Sequence, residues 1–490
     1  MRLLWAFNHD EATRSFARAA QTDPGCAMCF WGIALTLGPN YNMPAMADVR
    51  ARVGWQALRR AQALAASAAP VDQALIAALA RRFDADKGLD PSNSGPLLLA
   101  YANAMRGAAQ RFPDDLDVQV MFAESLMNLN PWKLWNADGT APPATQEIVA
   151  TLHAVLARAP DHPGANHYYI HAVEASSDPG QALAAAGRVA DAMPSAGHLV
   201  HMPSHIMHRV GRYEESAQAN RLAAKADTAY YARTAAIDYY PMYSAHNYQF
   251  LAASAAMEGR GAEMQSALRD ARKIFTDDMV AGMPGADWAI GFLYDGLIRF
   301  GRWDAMLAEP APDQRLGGMV IAYHAGRAQA LAALGRIPEA RAELALAEAA
   351  LGAMPAGALA GMNAGSPLYQ IAVWRAKARI ARAGGDKAGA VAALASAVAI
   401  EDGLSYNEPA DEFFPTRHLL GAALLDARKP AEAEAVYRED LKRNPANGWA
   451  LLGLALALEA QAKAPAAAAV RQQFTKAWAN ADTKIGASAF

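Results

Sequence analysis

Cysteine is almost missing from this chain of 490 residues: there are two, Cys26 and Cys29. A fold built on several disulfides is thereby excluded, and the redox compartment is left open. No uninterrupted apolar run of about 20 residues occurs, so no segment reads as a membrane span. An excess of one charge is missing too. Lys and Arg number 45 against 48 Asp and Glu, a net charge of −3. No basic field therefore marks a nucleic-acid or anionic-membrane partner. The motifs G-x-x-x-x-G-K-[ST], G-x-S-x-G and a strand-linked G-x-G-x-x-G are absent, so nucleotide hydrolysis and serine-hydrolase chemistry find no support. Runs of β-branched residues are scarce and aromatics make up 8%.

Alanine fills the chain instead. It packs helices closely and loses no side-chain entropy in doing so, and the expected class is all-α. The length allows two or three compact domains, whereas a repeat array would make one continuous body. Met1-Arg-Leu-Leu-Trp-Ala-Phe7 leads directly into Asn8-His-Asp-Glu-Ala12, which reads as the second helix of a repeat. A first helix, with a signal peptide, is expected upstream of Met1 and would make the protein periplasmic or secreted; as it stands the chain reads as cytoplasmic.

Small, bulky and turn residues recur at fixed offsets. Ala12, Phe16, Ala19 and Pro24 form one half-unit, and Gly211-Arg-Tyr213 with Ser216 and Ala223 forms another. Gly301-Arg-Trp303, Gly335-Arg-Ile337 with Ala340, and Gly385-Asp386 mark further turns. The clearest run is Leu420-Gly421, Ala433, Tyr437 and Pro445, followed by Trp449, Leu452 and Gly453. This pattern resembles tetratricopeptide repeats, helix–turn–helix units of about 34 residues. The resemblance implies one α-solenoid over 1–490, with a truncated first repeat, His-rich repeats over 163–226 and closing repeats over 366–480. The longer connections fall at 136–146, 227–242, 305–318, 353–367 and 403–415. The blocks Phe7-Asn-His-Asp-Glu11, Cys26-Ala-Met-Cys-Phe-Trp-Gly32, Glu124-Ser-Leu-Met-Asn128 with Pro131-Trp132, His167 to Glu174, Gly197 to His205 and Asn447-Gly-Trp-Ala-Leu451 look like one bacterial subfamily of long repeat proteins. That likeness implies a fold and a site, without a substrate.

The site is where imidazoles repeat. His167-Tyr-Tyr-Ile-His171-Ala-Val-Glu174 and His201-Met-Pro-Ser-His205-Ile-Met-His208 lie one repeat period apart. At 100° per residue, His198, His201, His205 and His208 share an arc of roughly 80°, and His167, His171 and Glu174 one of about 60°. Such first helices line the groove in these repeats. Neighbouring helices lie roughly 8–10 Å apart, so imidazoles from both can converge on one ion. The expected ligands are His167, His171, His201 and His205, with His198, His208 and Glu174 as further ligands or orienting groups. His246 opens the next groove-facing helix and is a candidate to complete the set. Zn, Cu and Fe all suit imidazole, and spacing does not choose among them. The zinc-protease motif His-Glu-x-x-His is absent, Tyr168 and Tyr169 standing in its middle.

Cys26 and Cys29, at the offsets of His198 and His201, are expected to face the groove as thiolate ligands, against the plainer reading of free buried cysteines. Glu124 is a candidate general base or ligand, alongside Glu174, against an ordinary charge paired with an arginine. Trp132 and Trp135 wall the pocket or fill core. His324 is expected to be structural, and His418 to face the groove far from the others. Arg375, Arg379 and Arg382 share a face that reads first as a solvated charged surface. Glu408, Asp411 and Glu412 lie in a loop able to reach across the groove if the array curls.

The function expected is transition-metal binding in a groove, with hydrolytic or oxidative catalysis there. The alternative is a scaffold that holds a partner peptide in the groove, using the three arginines. A third, storage or delivery of a soft metal, would draw on Cys26, Cys29, Met28, Met202 and Met207.

Overall fold

The computed structural model describes residues 1–136, 139–234, 240–283 and 285–490. Parts of the connections at 136–146 and 227–242 therefore lie outside the described residues. The described chain is helical almost throughout; its β structure is the two-residue pair Leu359–Ala360 and Asn363–Ala364 and an isolated bridge between Met46 and Leu89. It divides into two compact units, Met1–Ile206 and Met207–Phe490.

In both units successive helices pack as antiparallel hairpins. In the first, His9–Thr22 packs on Ala27–Leu37, which packs on Asp48–Leu64; later Leu116–Met127, Pro143–Arg158, Pro163–Val173 and Leu183–Ala192 follow in the same way. Alanines at the contacts, such as Ala12, Ala34, Ala61 and Ala123, are buried and let the helices approach closely.

The second unit runs from Tyr213–Tyr231 to Ala464–Ala477. Its turns use the glycines of the repeat pattern. Gly211, Gly301, Gly335 and Gly385 all have φ between 63° and 85°, the left-handed region a helix uses to stop and reverse. Packing explains the strongest repeat signal. Tyr437, on Pro430–Arg443, is fully buried between two glycines. A Cβ on Gly421 or Gly453 would come within 2.3 Å or 2.2 Å of its ring, so the large residue and the two small ones form one mutual requirement.

Two expectations are corrected here. Arg375 is not on a solvated face. It is 3% exposed, and donates to Thr416 Oγ1 at 2.9 Å and 2.7 Å and to the carbonyls of Phe414 and Glu412 at 2.7 Å and 3.2 Å. Arg382 does lie at the surface, paired with Asp426. The segment 197–208 is also not one helix. Helix Gly197–His201 ends before Met202, and Pro203, which lacks an N–H, starts the next one, Pro203–Arg209.

Candidate metal centre

Helix Pro163–Val173 begins with Pro163, whose fixed φ suits a first helical position. Four residues apart on it, His167 and His171 face the same way. Both are buried, as are His198, His201 and His205 from the following pair of helices. The ring centroids of His167 and His171 are 5.0 Å apart, those of His171 and His205 5.4 Å, and those of His201 and His205 4.6 Å. The structure thus gathers five of the expected histidines within the first unit.

Each ring is held from outside the cluster or touches another ring. His167 Nδ1 donates to the Trp5 carbonyl at 2.5 Å. His171 Nδ1 donates to Glu174 Oε1 at 3.0 Å, and His205 Nδ1 donates to Glu174 Oε2. Ser204 Oγ lies 3.2 Å from His201 Nδ1. Facing inward, His167 Nε2 is 3.1 Å from His198 Nε2, and His201 Nε2 is 2.6 Å from His205 Nε2. Ligand atoms of His167, His171 and His198 lie within 4.8 Å of one another, and so do those of His171, Glu174 and His205.

Burial sets the protonation. It pushes His167 well below the ordinary imidazole value, and the neighbouring His171 adds to this. His198 is pushed down likewise, first by burial and then by His167 and the other rings. Neutral imidazole is the form that ligates metals.

Aromatic rings complete the walls. Phe7 stacks on His198 and His171, with centroids 5.6 Å and 6.1 Å away, and meets His167 edge-on at 4.7 Å. Tyr41 and Trp132 lie 5.3 Å and 5.5 Å from His171. Phe7 and Trp132 both sit at positive φ, 53° and 62°, an outlying conformation for bulky residues. Trp135 donates its indole N–H to the Ala172 carbonyl at 2.8 Å, bracing the histidine helix.

Cys26 and Cys29 form a disulfide. Cys26 is the residue before the helix and its backbone is extended, which lets its sulfur fold back over Cys29. In this form neither sulfur is a thiolate, which corrects both the ligand and the free-cysteine expectations. Glu124 is buried, accepts from Asn128 Nδ2 at 2.7 Å, and has its carboxyl raised by burial against the opposing pull of Arg82. It lines a cavity with His9, Arg82 and Tyr168.

His208 and His246 belong to the second unit, where His208 bonds to Ser254 Oγ at 3.0 Å and His246 packs edge-on against Phe250. In that unit His324 pairs with Glu343, and His418 is buried between Asp440 and Arg299. Glu408 and Asp411 are buried, Asp411 accepting from Asn363 and from Asn407 of its own loop.

Sequence reasoning did not single out Trp5, Phe7, Tyr41 and Ser204 as site residues. Phe7 sits inside a block that the family likeness flagged. Nothing in the local sequence marks the Trp5 carbonyl or Tyr41.

Stacked helical hairpins with left-handed turn glycines define the class: the protein is a tetratricopeptide-like α-solenoid. No family model matches the sequence, and no curated protein does. Among solved structures, the chain is similar to the human IFIT1 dimer with m7Gppp-AAAA, at 11% identity over 92% of this chain and 90% of that one, with a TM-score of 0.36. It is similar to yeast Tom70, at 10% identity over 95% and 89%, with a TM-score of 0.30. A third likeness is to Naa15/Naa10 bound to HypK-THB, at 14% identity over 96% and 68%, with a TM-score of 0.25. These likenesses are loose, and the class rests on the hairpins of this chain. Among the described residues no helix is long and apolar enough to cross a membrane.

Proposed function

We propose that the first unit holds a transition-metal ion among its buried imidazoles and that the protein acts there as a metal-dependent enzyme, hydrolytic or oxidative. One observation supports this above the rest. His167, His171 and His205 each direct Nδ1 at a fixed oxygen, the Trp5 carbonyl or one of the two oxygens of Glu174. That fixes one tautomer for all three, with the Nε2 lone pair turned the other way. Three imidazole donors, with His198 Nε2 and His201 Nε2 against two of them, are the ligand type that Zn, Cu and Fe take.

Glu174 positions two ligands at once. As a buried carboxylate it would also offset the charge of an ion in a place water does not reach. When bound, a metal would polarise a substrate or lower the pKa of a water molecule. Phe7, Tyr41 and Trp132 keep the surroundings apolar, which strengthens electrostatic interactions inside. Glu124, which shares a cavity with Trp5 and whose carboxyl is raised by burial, would be the group to hold a proton for transfer.

Elemental analysis of the tag-free protein beside the His171→Ala and His205→Ala variants tests the reading. About one equivalent of Zn, Cu or Fe in the unaltered protein, lost in both variants, is the expected result. No bound metal in the unaltered protein after incubation with each ion would overturn it.

A further inference from the structure

Beyond the last helix of the second unit, Ala464–Ala477, residues 482–490 form no helix or strand of their own. They are nonetheless held at both ends. Asp482 accepts from the N–H groups of Gly261 and Ala262 at 2.8 Å and 2.9 Å, covering the open start of helix Gly261–Ile274. Further on, Ser488 is fully buried, donates to the His418 carbonyl at 2.7 Å, and lies 2.6 Å from the Tyr437 hydroxyl. Arg299 donates to the Ser488 carbonyl at 3.2 Å, and Arg379 to the Phe490 carbonyl at 2.7 Å. The Phe490 ring seats over Gly301, where a Cβ would come within 2.9 Å of it, and its centroid is 6.1 Å from that of Trp449.

The kind of grip matters. Gly486, Ala487, Ser488 and Ala489 have little side chain to bury. Alternate main-chain oxygens of the segment are taken by arginines from two helices, Asp287–Arg299 and Gly365–Ala383, while one hydroxyl and one ring fill fitted places. In recognition of an extended peptide, main-chain bonds supply affinity and side-chain pockets supply selectivity.

Nor does Arg299 depend on the segment for its position. Its guanidinium stacks 3.7 Å from the Trp449 ring centroid and lies 2.6 Å from His418 Nδ1, and the opposite nitrogen of that imidazole meets Asp440 at 2.8 Å. The receiving face is built in advance. Beside Ala489 and Phe490 lies a small cavity also lined by Gln329, Arg379, Arg382 and Leu394.

We propose that this face of the second unit is an exchangeable peptide-binding site, with Asp482–Phe490 as its self-supplied occupant. Its ligand is an extended peptide carrying a small–Ser–small–aromatic sequence, which must displace the resident segment to bind. The resident thereby sets a threshold, since apparent affinity falls with the fraction of sites that stand open.

Fluorescence anisotropy with a labelled peptide spanning residues 480–490 tests this on the full chain. Asp482→Ala removes an anchor from the resident segment that the competing peptide keeps. It should raise the apparent affinity about tenfold over the unaltered chain, and a labelled peptide carrying the same Asp482→Ala change should lose that gain. A scrambled peptide should not bind. A natively folded Asp482→Ala chain that binds the peptide no better than the unaltered protein would overturn the proposal. If that variant fails to fold, a protease site inserted after Asn480 replaces it. The cleaved protein should then exchange its segment for the labelled peptide, and failure to exchange is equally fatal. Metal content is expected to stay unchanged in every arm, which keeps this result separate from the fate of the histidine centre.

Discussion

Glu174 and His205 stand 31 residues apart in the chain, yet one carboxylate oxygen receives the imidazole N–H while the other receives that of His171. A single side chain thus ties two helices together and aims two rings.

Glu174→Gln should separate aim from charge. A Gln oxygen accepts one N–H, but its NH₂ faces the other imidazole as a donor and turns that ring's tautomer. Metal affinity is expected to fall about 10–100-fold, the range seen when an orienting partner of a metal-binding histidine is lost. Competition with a chelator of known affinity measures it. An unchanged affinity would make Glu174 dispensable.

The buried, neutral His9 predicts a pH dependence of stability. Burial lowers its pKa from 6.5 to about 3, with Arg50 and Arg82 adding to the shift. Above pH 6.5 the imidazole is neutral in both the folded and unfolded chain, and its stabilising contribution is complete. Between 6.5 and about 3 only the unfolded chain takes up the proton, so stability falls as pH falls, by about 1.4 kcal/mol per pH unit for this one group. Denaturant melts of the unaltered protein and of His9→Gln between pH 7 and 4.5 should show the shallower slope in the variant.

Tyr437→Ala should destabilise the second unit by about 3–5 kcal/mol, because Gly421 and Gly453 offer no side chain to refill the space. Tyr437→Phe should cost far less, losing only the contact with Ser488. Calorimetry on both variants checks the order.

The cysteine pair predicts a null result for metal. Unfolded, unreduced protein should show no free thiol and, after reduction, two. Cys26→Ser/Cys29→Ser should keep the metal content of the unaltered protein, and loss of the ion in that variant would return the sulfurs to the site.

Much of the fold was legible because turn glycines and alternating small and large residues are local signals. Gly211, Gly301, Gly335 and Gly385 could be read as turns since few other residues tolerate their φ. The shared histidine face followed from helical periodicity alone. That arithmetic assumed an unbroken helix, and Pro203 interrupts it, though His201 and His205 still meet. Trp5, Phe7 and Tyr41 were out of reach because they arrive from more than 100 residues upstream, through packing that no window of sequence encodes. The arginine at 375 was misjudged because periodicity shows which residues share a face but not what covers it.

Phe7 and Trp132 give the site a thermodynamic signature of its own. Each holds a bulky ring on a left-handed backbone, a conformation costing of order 1–3 kcal/mol, and both rings are spent on His171. Glycine would relax the chain at either position while removing the ring. The two effects pull in opposite directions, and burial prevails. Phe7 is fully buried, and losing its ring would cost about 3–5 kcal/mol, more than the strain relieved, so stability and the wall around the histidines are lost together.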